Sequence, residues 1–72
     1  MHISEMIGRG VLDKSANAVG KVTDIDINPA TWTINHLIVK TGLMKKVNIG
    51  IEKIDKIGDK VMLKVTKDEV IG

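Results

Sequence analysis

Apolar side chains recur along this chain at spacings of two and three, in short runs separated by turn-forming residues, and the pattern predicts strands rather than long helices. Residues 6–12, Met-Ile-Gly-Arg-Gly-Val-Leu, read as a first strand whose two glycines permit a sharp bend or the close approach of another backbone. Asp13 to Ala18 follow as a turn. Over residues 19–28 the apolar positions are Val19 and Val22, then Ile25 and Ile27 at a clean period of two, so the phase slips between Val22 and Ile25. A slip of one residue turns every later side chain to the opposite face, so either a bulge near Thr23 and Asp24 restores the phase or the strand turns a barrel corner there, and the bulge is the expectation. Asn28-Pro29-Ala30-Thr31 suits a type I turn, with Pro at the second position, leading into an antiparallel partner strand over Trp32 to Thr41. Leu37, Ile38 and Val39 are consecutive apolar residues in that strand, so either both its faces are covered or one of them meets a partner.

Gly42 to Lys46 reads as a loop and Val47 to Ile49 as a short strand. Ile51, Ile54 and Ile57 recur every third residue among Glu52, Lys53, Asp55 and Lys56, which predicts one helical turn docked by its apolar edge. Gly58-Asp59 is a hairpin signal, and the following segment alternates, with Val61, Leu63 and Val65 inward and Met62 and Lys64 outward. Thr66 to Gly72 is expected to be a mobile tail. Together these elements predict one all-β domain over residues 1–72. Its expected form is a small closed or partly closed antiparallel barrel of five to six short strands with one short helical turn, closure removing the exposed sheet edges. Ile25, Ile27, Leu37 and Val39 are expected to converge inside it.

Composition strengthens the strand reading. Eight Val, eleven Ile and five Thr make a third of the 72 residues β-branched, against three Ala. The absence of cysteine excludes disulfides, thiolate zinc sites and thiol nucleophiles, and it favours a cytoplasmic setting. No apolar run approaches the roughly 18 residues of a membrane-spanning helix, and no segment has the order of a secretion signal. Eleven Lys and Arg against nine Asp and Glu leave a net charge of +2, and Arg9 is the one arginine able to make bidentate contacts to phosphates or bases. A domain of this size buries only about 60% of its unfolded surface, so pairing as a homodimer is an expected source of further stability.

The order of these features resembles the PRC-barrel family, the small β-barrel of the cytoplasmic subunit of photosynthetic reaction centres and of the end of the ribosome-maturation factor RimM. The residues that carry the resemblance are Ile7-Gly8-Arg9-Gly10-Val11-Leu12-Asp13, Val19 to Pro29 with Gly20 two residues before Val22 and Asp24 two after it, Ile34 to Val39, and Ile54 to Val61. Two positions depart from the family pattern. Trp32 stands where a Gly is frequent after the Pro turn, and the aromatic or Pro commonly found before the short helical turn is missing near Gly50 and Ile51. The resemblance implies a non-catalytic barrel. A copy without a fused domain is similar to short archaeal members, for which it implies adaptor roles that include the cell-division machinery.

Candidate chemistry is sparse. His2 and His36 are the only imidazoles and lack further ligands at metal-binding spacing. Asp24 and Asp26 share one side of a strand, about 7 Å apart, with Asn28 as the best third oxygen donor for a hard cation. Ser4 and Ser15 have neither a nearby His nor a nucleophile elbow, and Gly8-Arg9-Gly10 has no third glycine or following helix to cradle a phosphate. Lys40, Lys45 and Lys46 flank one loop and Lys53, Lys56 and Lys60 another, but only Trp32 is available to stack a base. Trp32, Ile38 and Met44, with Lys45 and Lys46, are the candidate protein-interaction surface. The competing arrangement has Trp32 capping one end of the barrel with Met44 folded over it. The function expected is therefore a non-enzymatic interaction module, an adaptor or scaffold that self-associates and meets cytoplasmic protein partners, with no cofactor. The alternatives are an RNA- or ribosome-associated maturation factor and a small metal-dependent enzyme.

Overall fold

The computed structural model describes residues 1–42 and 44–71. A first helix, α1 (Ile3–Met6), precedes β1 (Gly10–Leu12), the long β2 (Ala18–Asn28) and β3 (Thr33–Lys40); β4 (Lys46–Gly50) then runs through a 3₁₀ turn (Ile51–Lys53) into β5 (Ile54–Ile57), and β6 (Val61–Leu63) and α2 (Lys67–Ile71) complete the order. The strands form one six-stranded sheet in the order β4-β3-β2-β1-β6-β5. Neighbouring pairs are antiparallel except β1 and β6, which run parallel, with Val11 opposite Val61. The expected all-antiparallel barrel is corrected at that one seam. The two edge strands are linked in sequence by the 3₁₀ turn without being paired in the sheet, so the barrel is partly closed.

Bulges decide which side chains face inward. Val22 pairs with Val39 and Asp24 with Ile38, so Thr23 is the extra residue, in the place the phase slip predicts. A second irregularity, between Val11 and Leu12, skips Val19 and lets both Val19 and Val22 turn to the core. A third, between Asp26 and Ile27, skips Asn35 of β3, and a fourth lies in β5, where Ile54 pairs with Leu63 and Lys56 with Met62, leaving Asp55 unpaired. The expected helical turn is thereby corrected: only Ile51–Lys53 is 3₁₀, and Ile54 and Ile57 belong to a strand. A strand carrying one bulge presents two apolar residues three apart on one face, the same spacing that a helical turn presents.

The core is built of Met6, Val11, Val19, Val22, Leu37, Val39, Ile49, Ile54, Val61 and Leu63, with Ile25, Ile34 and Val47 among the half-buried residues packed on it. Leu37 and Val39 are fully buried and Ile25 packs against them, as expected; Ile27, opposite Ile34 near the end of the hairpin, is half-buried and outside this cluster. The expected first strand begins later, because residues 3–6 coil into α1 and bury Met6. Its approach still pairs with β2: Gly8, at φ +87°, donates its N–H to the Val22 carbonyl (2.7 Å), and Val22 donates to the Arg9 carbonyl (3.0 Å). Gly20 matters for a different reason. A Cβ there would overlap the Lys40 carbonyl oxygen and press on Val39, so β2 approaches β3 more closely than a side chain allows.

The segment expected to be a tail is, over Lys67–Ile71, a helix whose Val70 and Ile71 pack on the core. Asp13, 1% exposed, joins it to the sheet. The Asp13 carboxylate accepts the backbone N–H groups of Ser15 (2.8 Å), Asn17 (2.8 Å) and Lys67 (2.9 Å), and the Asn17 amide at 3.3 Å. Burial pushes its pKa up, but the backbone N–H groups of Asn17, Lys67 and Ser15 and the Asn17 side chain outweigh burial and hold it below the ordinary carboxylate value.

Two outcomes follow. Gly20→Ala should cost about 1–3 kcal/mol, the range for forcing atoms into a packed site. Gly10→Ala should cost less, because the obstacle there is the flexible Lys60 side chain rather than backbone; thermal melts of the two variants compare them. Because the folded-state pKa of Asp13 is depressed, its stabilisation is fully present above the unfolded value of about 3.9. It is lost as pH falls through the lower, folded value. Asp13→Asn should therefore be less stable at neutral pH and show a shallower loss of stability below about pH 4, measured by urea unfolding across a pH series.

Candidate functional site

The β2–β3 hairpin ends in a tightly specified turn. The Asn28 side-chain oxygen accepts the Ala30 N–H (2.9 Å), the Asn28 carbonyl accepts the Trp32 N–H (2.7 Å), and the Thr31 and Thr33 hydroxyls hydrogen-bond at 2.7 Å. These contacts hold Trp32 at φ +58°, in the left-handed region that glycine occupies without strain. Trp32 is 82% exposed. Trp32 therefore does not cap the barrel. Ile51, 40% exposed, follows Gly50, which pairs with His36, so the 3₁₀ turn lies beside the half of β3 nearest Trp32.

The candidate surface of Trp32, Ile38 and Met44 does not form as one patch. Trp32 precedes β3 and Met44 follows it, so they stand at opposite ends of an eight-residue strand, about 26 Å at roughly 3.3 Å per residue. That is most of the molecule's longest dimension of 32 Å. Ile38 lies on the outer face of the sheet but is half-buried between Asp24 on β2 and Asn48 on β4. Met44, 95% exposed, stands with exposed Lys45 and Lys46 at the β3–β4 turn, and does not fold over Trp32.

Register adds residues that the linear pattern does not single out. Lys21 is directly opposite Lys40, and Lys40 directly opposite Lys46, so three exposed lysines share one row across β2, β3 and β4. Gly10 pairs with Lys21 on the other side, and the Lys60 ammonium lies over Gly10. The signal for this row is pairing between strands, which spacing along one strand does not carry.

The remaining candidates are engaged locally. The Asp26 carboxylate accepts from the Asn35 amide (3.1 Å) and faces His36 Nδ1 at 3.7 Å, while Asp24 accepts the N–H of Ile25 (2.8 Å). His2 caps α1, its backbone N–H donating to Glu5. Arg9 donates to the Glu5 carbonyl (3.2 Å) and to the Gly58 carbonyl. Among the described residues no three His, Asp or Glu side chains gather at metal-binding distance, and no pocket opens. No helix among them is long and apolar enough to cross a membrane.

No curated protein matches the chain. A family model described as the PRC-barrel domain matches residues 1–70, nearly the whole length. With its six strands curled into a partly closed sheet, the protein belongs to the PRC-barrel domain family, small β-barrel modules that often mediate interactions.

Proposed function

We propose that the protein is a non-enzymatic adaptor of the cytoplasm that self-associates and engages protein partners through the tip of the β2–β3 hairpin, with Trp32 as the anchor. The observation that carries this reading is the placement of the chain's only aromatic residue, exposed on a hydrogen-bonded turn at a backbone conformation that suits glycine. A left-handed conformation costs a non-glycine residue about 1–2 kcal/mol, so tryptophan does not serve the fold there. Its burial in an interface is worth far more: an aromatic side chain removes about 150–250 Å² from water, which at about 25 cal/mol per Å² is roughly 4–6 kcal/mol. Tryptophan is also among the residues that dominate binding energy when buried at an interface. Ile51 and the half-buried Ile27 and Ile34 extend the apolar character around the tip. The partner class follows the family's role in interactions, and an assignment to the division machinery rests on the family resemblance alone.

Trp32 reports on its own environment, because no other residue fluoresces comparably in this chain. Raising the protein concentration should shift its emission to shorter wavelength in step with a dimer mass by light scattering. Trp32→Gly should yield a monomer whose stability is within about 1 kcal/mol of the parent, since relief of the left-handed strain offsets the added freedom of glycine in the unfolded chain. A monomeric mass and unchanged emission at every concentration would sink the self-association, and retained dimerisation in the variant would place the interface elsewhere.

A further inference from the structure

The lysine row is unexplained by the fold and by the Trp32 surface. Lys46, Lys40 and Lys21 occupy directly opposed positions on β4, β3 and β2, and the Lys60 ammonium continues the line over Gly10 on β1. Directly opposed residues have their Cα atoms about 4.5–5.5 Å apart, and like charges so placed repel and weaken a sheet. Among the described residues none of these four lysines forms an ion pair. Lysine at the edge strand β4 is a common guard against edge-to-edge pairing, but Lys40 and Lys21 lie on interior strands, where that role does not apply. The carboxylates of the same face are set apart along the strands: Asp24 lies one row away opposite Ile38, and Asp26 a further row on opposite His36. Positive charge is thus concentrated toward the β3–β4 turn. There Lys40 ends β3, Lys46 begins β4, and Met44 projects at 95% exposure beside Lys45.

We infer that this row and the Met44 turn form a docking surface for an anionic lipid bilayer, with the lysines on the headgroups and Met44 entering the interface between them. A cluster of lysines attracts anionic headgroups, and an apolar tip among them adds burial that a purely ionic contact lacks. Lysine stems reach an interface while the ammonium stays hydrated. Nucleic acid fits the site less well. The one stacking residue, Trp32, is at the far end of β3, and the one arginine, Arg9, is committed to the Glu5 and Gly58 carbonyls, so neither base stacking nor bidentate phosphate binding accompanies the row. Exposed Met44 likewise has no part in binding a phosphate chain.

Flotation of the whole chain with vesicles of phosphatidylcholine, alone or mixed with phosphatidylglycerol, tests the surface. The chain should float only with the anionic vesicles, and less as salt rises. Lys40→Glu/Lys46→Glu should weaken binding by at least about tenfold, and Met44→Ser should weaken it several-fold. Lys56→Glu/Lys64→Glu makes the same change in net charge at exposed positions outside the row and should retain binding. The row variant should melt no lower than the parent, because it relieves repulsion, which separates lost binding from lost folding. Lys40→Glu/Lys46→Glu should keep the parent's mass by light scattering, so the lipid surface and the self-association stand or fall separately. Absence of flotation, or equal loss in both double variants, overturns the inference. So does row-dependent capture of poly-uridine RNA or poly-glutamate without vesicle binding, which would make the partner a nucleic acid or an acidic protein.

Discussion

β2 and β3 approach closely at Gly20, where the Lys40 carbonyl occupies the space a side chain would need. That approach, with bulges on either side of it, lets one eleven-residue strand bend and serve two partners, pairing over its first part with β1 and over the rest with β3. Val19 and Val22 both reach the core because of the bend, and Val39 closes over them. The same register places Lys21 opposite Lys40 on the outer face. One backbone constraint therefore sets the packing inside the barrel and the charge pattern outside it.

How far the sequence reveals this architecture depends on whether a signal is local. The slip between Val22 and Ile25 is legible as a bulge because the strand continues with period two at Ile25 and Ile27 and is followed by a proline turn. Ile51, Ile54 and Ile57 have the same spacing without that continuation, and they read as a helical turn although most of the segment is a bulged strand. The parallel seam between β1 and β6 leaves no local trace, since the paired residues Val11 and Val61 are far apart in the chain and no turn joins them. Asp13 reads as a turn former, which it is. Its third backbone partner is Lys67, from a segment whose few apolar residues predict only a tail. That distant N–H acts with the local ones to depress its carboxyl pKa.

The candidate surface shows the same division. Trp32, Ile38 and Met44 are near one another in sequence, and an extended strand converts that nearness into separation, with one residue at each end and one half-buried between. Trp32 was legible as a departure from the pattern that the resemblance carries, and its left-handed backbone is one that glycine adopts without strain. The lysine row was not legible. Lys21, Lys40, Lys46 and Lys60 come from separate elements, and only the pairing of strands brings them into line.

A 72-residue barrel has almost no interior to spend on chemistry. Among the described residues those that are buried nearly all form the core, and the one buried carboxylate, Asp13, is saturated by donors, of which the Lys67 N–H ties α2 to the sheet. On the outside, by contrast, stand residues whose placement costs the fold stability. Trp32 accepts backbone strain and hydration of an indole; the lysine row accepts repulsion between opposed charges. These two costs fall at opposite ends of β3, which leaves each surface free to be occupied without blocking the other. A rigid strand with a separate contact surface at each end is suited to bridging, holding one partner at a fixed distance from another, and that is a task a small barrel can perform without a pocket.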